Sequence, residues 1–340
     1  MSKAAPAEAT AAADTLVQRV FCALADGAAH SGEQLAAEQG VSRSAVWKAV
    51  GALEELGMSI EAAPHRGYRL AGPVTPLETA QILAHLPAVV RERLRRGDVA
   101  WSLPSTNSAL LERAEPPAGR FDVLLAEHQS AGRGRRARPW FAPPGGALCL
   151  SIGWSFAGLP RGAAALSLAV GVCARRALQA FAGVAVQLKW PNDLLAAERK
   201  LGGILIELRA ESAGPAYVVI GIGINCALGP ALSGRVQQAG TNPIDLAELG
   251  VTPCDRNRLA GALLGEIIAG VVEFERHGLA PFAAEWSEAD ALVDRPVRMS
   301  LPGVEYLGVA CGIDADGALR VQGEEGLRQF HSGEVSVRTQ

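Results

Sequence analysis

Residues 127–140, EHQSAGRGRRARPW, set two glycines, Gly132 and Gly134, among Arg133, Arg135 and Arg136. Glycine permits positive φ and close backbone approach. Arginine supplies a fixed positive charge and a planar donor fork. Together they suit a polyanion, a phosphate above all. A solvated basic turn has the same composition, so this loop alone does not decide. A second stretch adds KWPND at 189–193 and RKLGGILIE at 199–207. The apolar residues Leu201, Ile204, Leu205 and Ile206 make the latter a strand entered from a polar turn, which puts Lys200 at the strand mouth, within reach of a cleft. Ser105, Thr106 and Asn107 come earlier in the chain, and GIGIN at 221–225 later.

The elements that must position these groups follow from the apolar pattern. Residues 122–126 read as a buried strand leading into the arginine loop. Between about 78 and 288, short apolar strands alternate with helices, an α/β signature. Strand-like runs occur at 99–102, 147–154, 187–190 and 217–224. A helix spans 105–113 with Ser105 as its cap. A long apolar helix is expected at 162–182, an amphipathic one at 257–276 and a shorter one at 282–286. GIGIN lacks the third glycine and following helix of a dinucleotide fingerprint. It reads better as a strand whose small residues admit a close neighbour. From 291 to 340, short strands with an Asp-Ala-Asp-Gly turn at 314–317 suggest a small barrel.

The N-terminal part has its own pattern. Residues 1–13 are alanine-rich and read as a frayed tail. Leu16, Val17, Val20, Phe21 and Leu24 sit at helical spacing. Ser31 caps a short helix to Gln39, with Gln34 at the capping-box position, and Gly40 ends it. Ser42 caps a third helix with Val46, Val50 and Leu53 on one face. Strands at 58–62 and 68–70 flank a turn at 64–67. This is a helix-turn-helix with a wing. DNA binding would use Ser42, Arg43, Ser44, Trp47 and Lys48 on the third helix, with most of the Trp47 surface expected in packing. Between 31 and 70, four basic side chains face five acidic ones, whereas DNA-binding modules usually carry a basic footprint. A protein-contacting or vestigial domain is therefore the alternative. Residues 72–76, GPVTP, form a short, stiff linker.

A chain of 340 residues with 49% hydrophobic content suits two or three domains with ample core. The net charge of −3 argues against wholesale coating of nucleic acid. Six cysteines are scattered without a CxxC pair, which fits core thiols in a reducing cytoplasm. The longest apolar run, 163–174, is too short to span a bilayer. The N-terminus has no secretory h-region, so a soluble intracellular protein, with no membrane partner, is expected. Neither a Ser-His-Asp set nor metal-ligand histidine spacing is visible.

GRGRR, KWPND and RKLGGIL, in this order and with the N-terminal pattern, resemble the bifunctional biotin–protein ligase/biotin-operon repressor family across about residues 14–340. The resemblance implies an α/β (α+β) catalytic domain of class II synthetase-like type at 77–288. It further implies a winged helix-turn-helix at 14–71 and an SH3-like C-terminal β-barrel at 291–340. It implies ATP, with magnesium, as co-substrate, biotin as substrate, and no tightly bound metal. Biotin's carboxylate would attack the α-phosphate of ATP, and a carrier-protein lysine would then take biotin from biotinyl-5′-AMP. By resemblance, Lys200 and Arg135 are catalytic. Ser105, Thr106, Asn107, Gln129, Arg133 and Gly134 join them in holding biotin and the adenylate. Trp140 would close over the adenine, or else anchor the loop. Asn192, Asn225 and Asp193 would orient phosphates or magnesium. Partners would be a biotin carboxyl carrier protein, operator DNA and, with adenylate bound, a second copy of the chain. Ala137 and Pro139 stand where the family often has Gly and Lys. A lipoate–protein ligase of the same fold and a nonenzymatic biotin-sensing regulator are the competing readings.

Overall fold

The computed structural model describes residues 16–63, 67–210, 215–301, 304–331 and 336–339. The tail at 1–13 and residues 64–66 of the wing turn lie outside the described residues. A first helix, α1, runs through residues 16–24. The Ser31 hydroxyl accepts from Gln34 N at the start of α2 (Gly32–Gln39), and Gly40 closes it at φ 65°. The Gln34 side chain bonds Glu38 and does not return to Ser31, so the capping box is half formed. Ser42 likewise caps α3 (Arg43–Glu55) through Ala45 N. Val20, Phe21, Leu24, Leu35, Val46, Val50 and Leu53 bury together. Strands β1 (Ile60–Ala63) and β2 (Gly67–Leu70) pair antiparallel as the wing. Trp47 departs from expectation. It is 66% exposed, because the buried face of α3 is supplied by Val46, Ala49, Val50 and Leu53.

The linker is held in place by the core. Val74 N donates to Ala25 O at 2.9 Å, and Phe21 lies 5.3 Å from Trp101 of the central domain, centroid to centroid. The rest of the chain is carried by two short helices, α4 (Thr79–Ala84) and α5 (Ala88–Arg91), then β3 (Leu94–Leu103), α6 (Thr106–Leu111), β4 (Phe121–Gln129) and β5 (Ala147–Phe156). There follow α7 (Leu166–Ala182), β6 (Gln187–Lys189), β7 (Asp193–Ala196), β8 (Arg199–Ala210), β9 (Ala216–Asn225), α8 (Gly229–Gln238), α9 (Arg256–His277) and α10 (Ala283–Ala289).

The seven-stranded sheet has the order β3-β4-β5-β9-β8-β7-β6. Only β3 and β4 pair parallel, and every other neighbour is antiparallel. The strand-helix alternation and the resemblance gave an α/β (α+β) class without strand directions. The observed arrangement is α+β, because β5, β9, β8 and β7 follow or meet one another as antiparallel neighbours, with no crossover helix for each pair. Side chains alternate across the pleat. Leu148, Leu150, Ile152 and Trp154 of β5, with Ile220, Ile222 and Ile224 of β9, join the core under α7 and α9. The intervening residues on the other face are small or polar: Cys149, Ser151, Gly221 and Gly223. Ser151 lies opposite Gly221, and Cys149 opposite Gly223. One face of the sheet thus builds the core, and the other leaves a hollow.

The helix from Ala163 to Ala182 is long and apolar enough to cross a membrane by length and composition, and 67% of its most apolar window is buried inside the protein. Its close partner is α9, where Gly270 leaves room for the Cys173 sulfur.

The C-terminal strands are β10 (Pro296–Leu301), β11 (Val304–Ile313), β12 (Leu319–Gly323), β13 (Gly326–Phe330) and β14 (Ser336–Thr339). They form an antiparallel sheet of order β13-β12-β11-β10-β14. Val297, Met299, Ala310, Leu319, Val321 and Phe330 merge with the central core. Trp190 Nε1 donates to Gly317 O at 3.0 Å, so the KWPND turn is braced by the Asp-Ala-Asp-Gly turn.

Candidate functional site

The hollow above the small-residue face is a pocket. It gathers Ser105, Thr106, Asn107, Gln129, Arg133, Gly134, Arg135 and Trp140 from the first half of the site, and Asn192, Asp193, Lys200 and Asn225 from the second. The candidate DNA-contacting residues lie apart from it, on α3.

One end of the pocket is a closed polar network. Ser105 caps α6 through Ser108 N. Thr106 N and Oγ1 donate to Gln129 Oε1 at 2.7 and 3.1 Å. Ser151 Oγ lies 2.6 Å from both Thr106 Oγ1 and Asn107 Oδ1. Asn107 Nδ2 donates to Leu205 O at 3.2 Å and to Glu207 at 2.8 Å. A Cβ at Gly221 would sit 2.3 Å from Asn107 Oδ1. Gly221 is therefore the residue that admits Asn107. Gly221→Ala is expected to destabilise the protein by about 1–3 kcal/mol through overpacking, read as a lower thermal midpoint. An unchanged midpoint would mean that Asn107 yields freely.

Arg133 belongs to this network and not to the phosphate end expected for it. Its guanidinium pairs with Glu207 at 2.9 Å and donates to Ser108 Oγ. The loop geometry explains this. Gly132 O accepts from Trp140 N, and Gly134 N donates to Arg138 O, both at 2.8 Å. The stretch is a narrow hairpin with Arg135, Arg136 and Ala137 at its tip. The glycines do not supply the positive φ that sequence suggested. Gly134 has φ −102°. Arg136 and Ala137 take the left-handed values, both at φ 56°. Gly132 is instead required for space, since a Cβ there would lie 2.5 Å from Trp140 O.

Arg135 is half-buried at the tip, and among the described residues no carboxylate lies within 4 Å of its guanidinium. Burial, then the neighbouring Arg136 charge, hold it below its ordinary pKa. Such a cation gains from any anion that enters. Lys200 Nζ bonds Asp193 Oδ1 at 2.6 Å. Gly203 sits opposite Asp193 and leaves the lysine room to lie back onto it. The Lys200 backbone is fixed too: its N donates to Asn242 O, and its O accepts from Ile244 N.

Three of the expected contacts line the pocket but are also engaged within the protein. Asn225 Nδ2 donates to Lys200 O at 3.1 Å and Ile244 O at 3.0 Å. Asn192 Nδ2 donates to Ile204 O at 2.6 Å. Both amides thus anchor backbone: Asn225 spends both of its donors on carbonyls, and Asn192 one of its two. Trp140 takes the anchoring position. Its indole packs with Ala142, Ala147 and Cys149 and lies over Gly223, while one edge lines the pocket. Asp193 stays a candidate ion contact, although its Oδ1 is paired.

Two residues that brace the site from behind its lining escaped sequence reasoning, Ser151 and Glu207. The signal for each was a lone polar residue in an apolar strand, CLSIGW and GILIE. Cys149 also lines the pocket. Burial pushes its thiol up to about 12, so it stands there as a neutral group and not as a nucleophile.

Comparison with known proteins fits this geometry. Residues 100–225 match the model of the biotin/lipoate A/B protein ligase family, residues 22–69 an HTH domain, and residues 293–338 the biotin protein ligase C terminal domain. The bifunctional ligase/repressor BirA of Escherichia coli is 38% identical, over 96% of this chain and 98% of its own length. A biotin–[acetyl-CoA-carboxylase] ligase of Mycobacterium tuberculosis is 37% identical, over 66% of this chain and 82% of its own. A biotin protein ligase from Aquifex aeolicus in complex with biotin and ATP superposes with a TM-score of 0.60 at 25% identity, covering 72% of this chain and all of that one.

Proposed function

The chain belongs to the bifunctional biotin protein ligase/repressor family, and on that premise we propose how its own residues divide the work. It is an ATP-dependent biotin protein ligase and a repressor. Biotin's ring system lies at the Thr106–Asn107–Ser151 end, where fixed neutral donors and acceptors suit a neutral bicyclic head. Its carboxylate points toward Lys200 and Arg135. There it attacks the α-phosphorus of ATP, and pyrophosphate leaves with the electrons of the broken P–O bond. In the second step a carrier lysine amine attacks the acyl carbon of biotinyl-5′-AMP, AMP departs, and the amine loses a proton. Both nucleophiles come from the substrates, so the protein's part is charge neutralisation and exclusion of water.

The observation that carries this reading is one pocket with a hydrogen-bonded network at one end, where Arg133 is neutralised by Glu207, and the cations Arg135 and Lys200 at the other. Magnesium would enter on the phosphates of ATP and supply further charge neutralisation. Asp193 is the carboxylate among the lining residues, and one such contact suits an ion that keeps most of its waters. Incubation with ATP, labelled biotin and a carrier domain tests the reading, with labelled lipoate in parallel. Transfer of biotin that depends on ATP supports it. Binding without pyrophosphate release would leave a sensor only, and preference for lipoate would overturn the substrate.

Arg135→Gly is expected to weaken retention of the adenylate more than binding of biotin. The change removes the cation from the phosphate end while leaving the Thr106–Asn107 network intact. Released adenylate then acylates exposed lysines on an unrelated bystander protein. Unchanged selectivity for the carrier counts against this role.

The second role of the chain calls on the winged helix, with Ser42, Arg43, Ser44, Trp47 and Lys48 facing operator DNA near the genes for biotin synthesis, in the cytoplasm. With four basic and five acidic side chains between 31 and 70, one such domain binds weakly. Two on an adenylate-bound dimer bind through effective concentration, and DNA then favours adenylate by the same factor. Sedimentation should show a larger dimer fraction with biotin and ATP than without. An identical monomer fraction in both would refute the coupling.

A further inference from the structure

The exposed face of α3 carries more than charge. Arg43, Ser44, Trp47 and Lys48 are all exposed, and at 66% Trp47 is the most exposed large hydrophobic among the described residues. Trp154, Trp190 and Trp286, by contrast, are essentially buried. Gly51 lies four residues beyond Trp47 and so on the same face. A Cβ at Gly51 would meet nothing within 4 Å, so no packing among the described residues demands glycine there, although glycine weakens a helix interior. An indole without a partner among the described residues, set between Arg43 and Lys48 and beside an unforced glycine, marks a surface for close approach to a polyanion.

We propose that Trp47 is a base-reading residue that selects thymine in the major groove, and that Gly51 lets α3 come close enough for it to do so. The inference rests on the DNA-binding reading above and goes beyond it by naming what is read. Thymine is the base whose major-groove edge carries a methyl group next to an acceptor, O4. Indole offers an apolar ring and a single N–H donor, with no acceptor. It matches that edge on both counts. Guanine offers acceptors without the methyl, while the amino groups of adenine and cytosine find nothing on indole to accept them. Trp47 lies in the first half of α3, the part of a recognition helix that reaches base edges. The sparse positive charge of this domain makes the reading matter more, since phosphate contacts carry no sequence information.

The test uses the full-length protein with biotin and ATP. It selects sites from a random duplex library, then replaces each selected thymine by deoxyuridine. The wild type should enrich thymine at one position of each half-site, and loss of that 5-methyl should weaken binding about fourfold, the worth of one buried methyl. Trp47→Ala should lose both the enrichment and the deoxyuridine penalty at that position alone. Trp47→Phe should keep the penalty. Lys48→Ala should weaken binding to all sequences and lower its salt dependence. Gly51→Leu should weaken selected and unselected DNA without lowering the thermal midpoint. The same thymine preference in Trp47→Ala overturns the proposal. So does a change in self-association by Trp47→Ala with base preference intact, which would make the indole a protein contact. If the wild type enriches no sequence, the DNA-binding reading falls as well, whereas enrichment without methyl sensitivity removes the thymine reading alone.

Discussion

Lys200→Ala is expected to lower the rate of pyrophosphate release from biotin and ATP by about 10²–10³-fold, the usual loss when one preorganised transition-state contact, roughly 3–4 kcal/mol, is removed. The geometry gives this variant a second handicap. Lys200 Nζ bonds Asp193 Oδ1 at 2.6 Å. Without the lysine, Asp193 loses its ion-pair partner in a pocket that must admit another carboxylate and a triphosphate. The loss therefore has two parts, attraction removed and repulsion exposed. They separate in a double-mutant cycle. Lys200→Ala with Asp193→Asn should recover part of the affinity for biotin and ATP, because the repulsion is gone, but little of the rate, because nothing replaces the cation. Near-wild-type pyrophosphate release by Lys200→Ala would sink the assignment, and full recovery of rate in the double variant would show that the lysine merely masks Asp193.

The parts of this site that were legible in the sequence are those in which local pattern and function coincide. Ser105 and Ser42 read as caps because capping is a local matter of one side chain and the next turn, and both cap as expected. GIGIN read as a strand admitting close neighbours, and Gly221 and Gly223 do admit Asn107 and Trp140. What stayed hidden depends on partners distant in sequence. Arg133 and Arg135 look alike in GRGRR, but Glu207, 74 residues away from Arg133, takes the first, while among the described residues no carboxylate lies within 4 Å of the second. Asn192 and Asn225 looked like ligand contacts, yet the carbonyls that take their donors belong to Ile204, Lys200 and Ile244. Ala137 shows the converse. It stands where the family often has glycine, and its φ of 56° costs a residue with a Cβ about 1–2 kcal/mol relative to glycine.

Glu127→Ala is expected to destabilise the protein by about 3–5 kcal/mol, the effect of removing one partner from a buried ion pair. Glu127 and Arg256 are 4% and 1% exposed and meet at 2.8 Å. The carboxylate also accepts from Leu77 N and Gly145 N. The guanidinium donates to Thr75 O and Ala147 O. Asn257, next along α9, donates to Pro76 O and accepts from Glu78 N. These bonds fasten the linker between the winged helix and the sheet to the first turn of α9, at a helix end whose dipole already disfavours a positive charge. Removing Glu127 therefore isolates a buried cation and frees the linker together. At roughly 2–4 °C per kcal/mol for a domain of this size, the thermal midpoint should fall by about 6–20 °C, and limited proteolysis should cut faster between residues 71 and 78. The paired replacement Glu127→Leu with Arg256→Met should recover the midpoint, since apolar groups of similar volume often substitute for a buried ion pair without loss. It should not slow the proteolysis, because Thr75 O and Leu77 N remain without their partners. A wild-type midpoint with unchanged cleavage in Glu127→Ala would show that the linker is held from elsewhere. Recovery of both in the double variant would show that shape alone, and not these hydrogen bonds, positions the DNA-binding domain on the ligase.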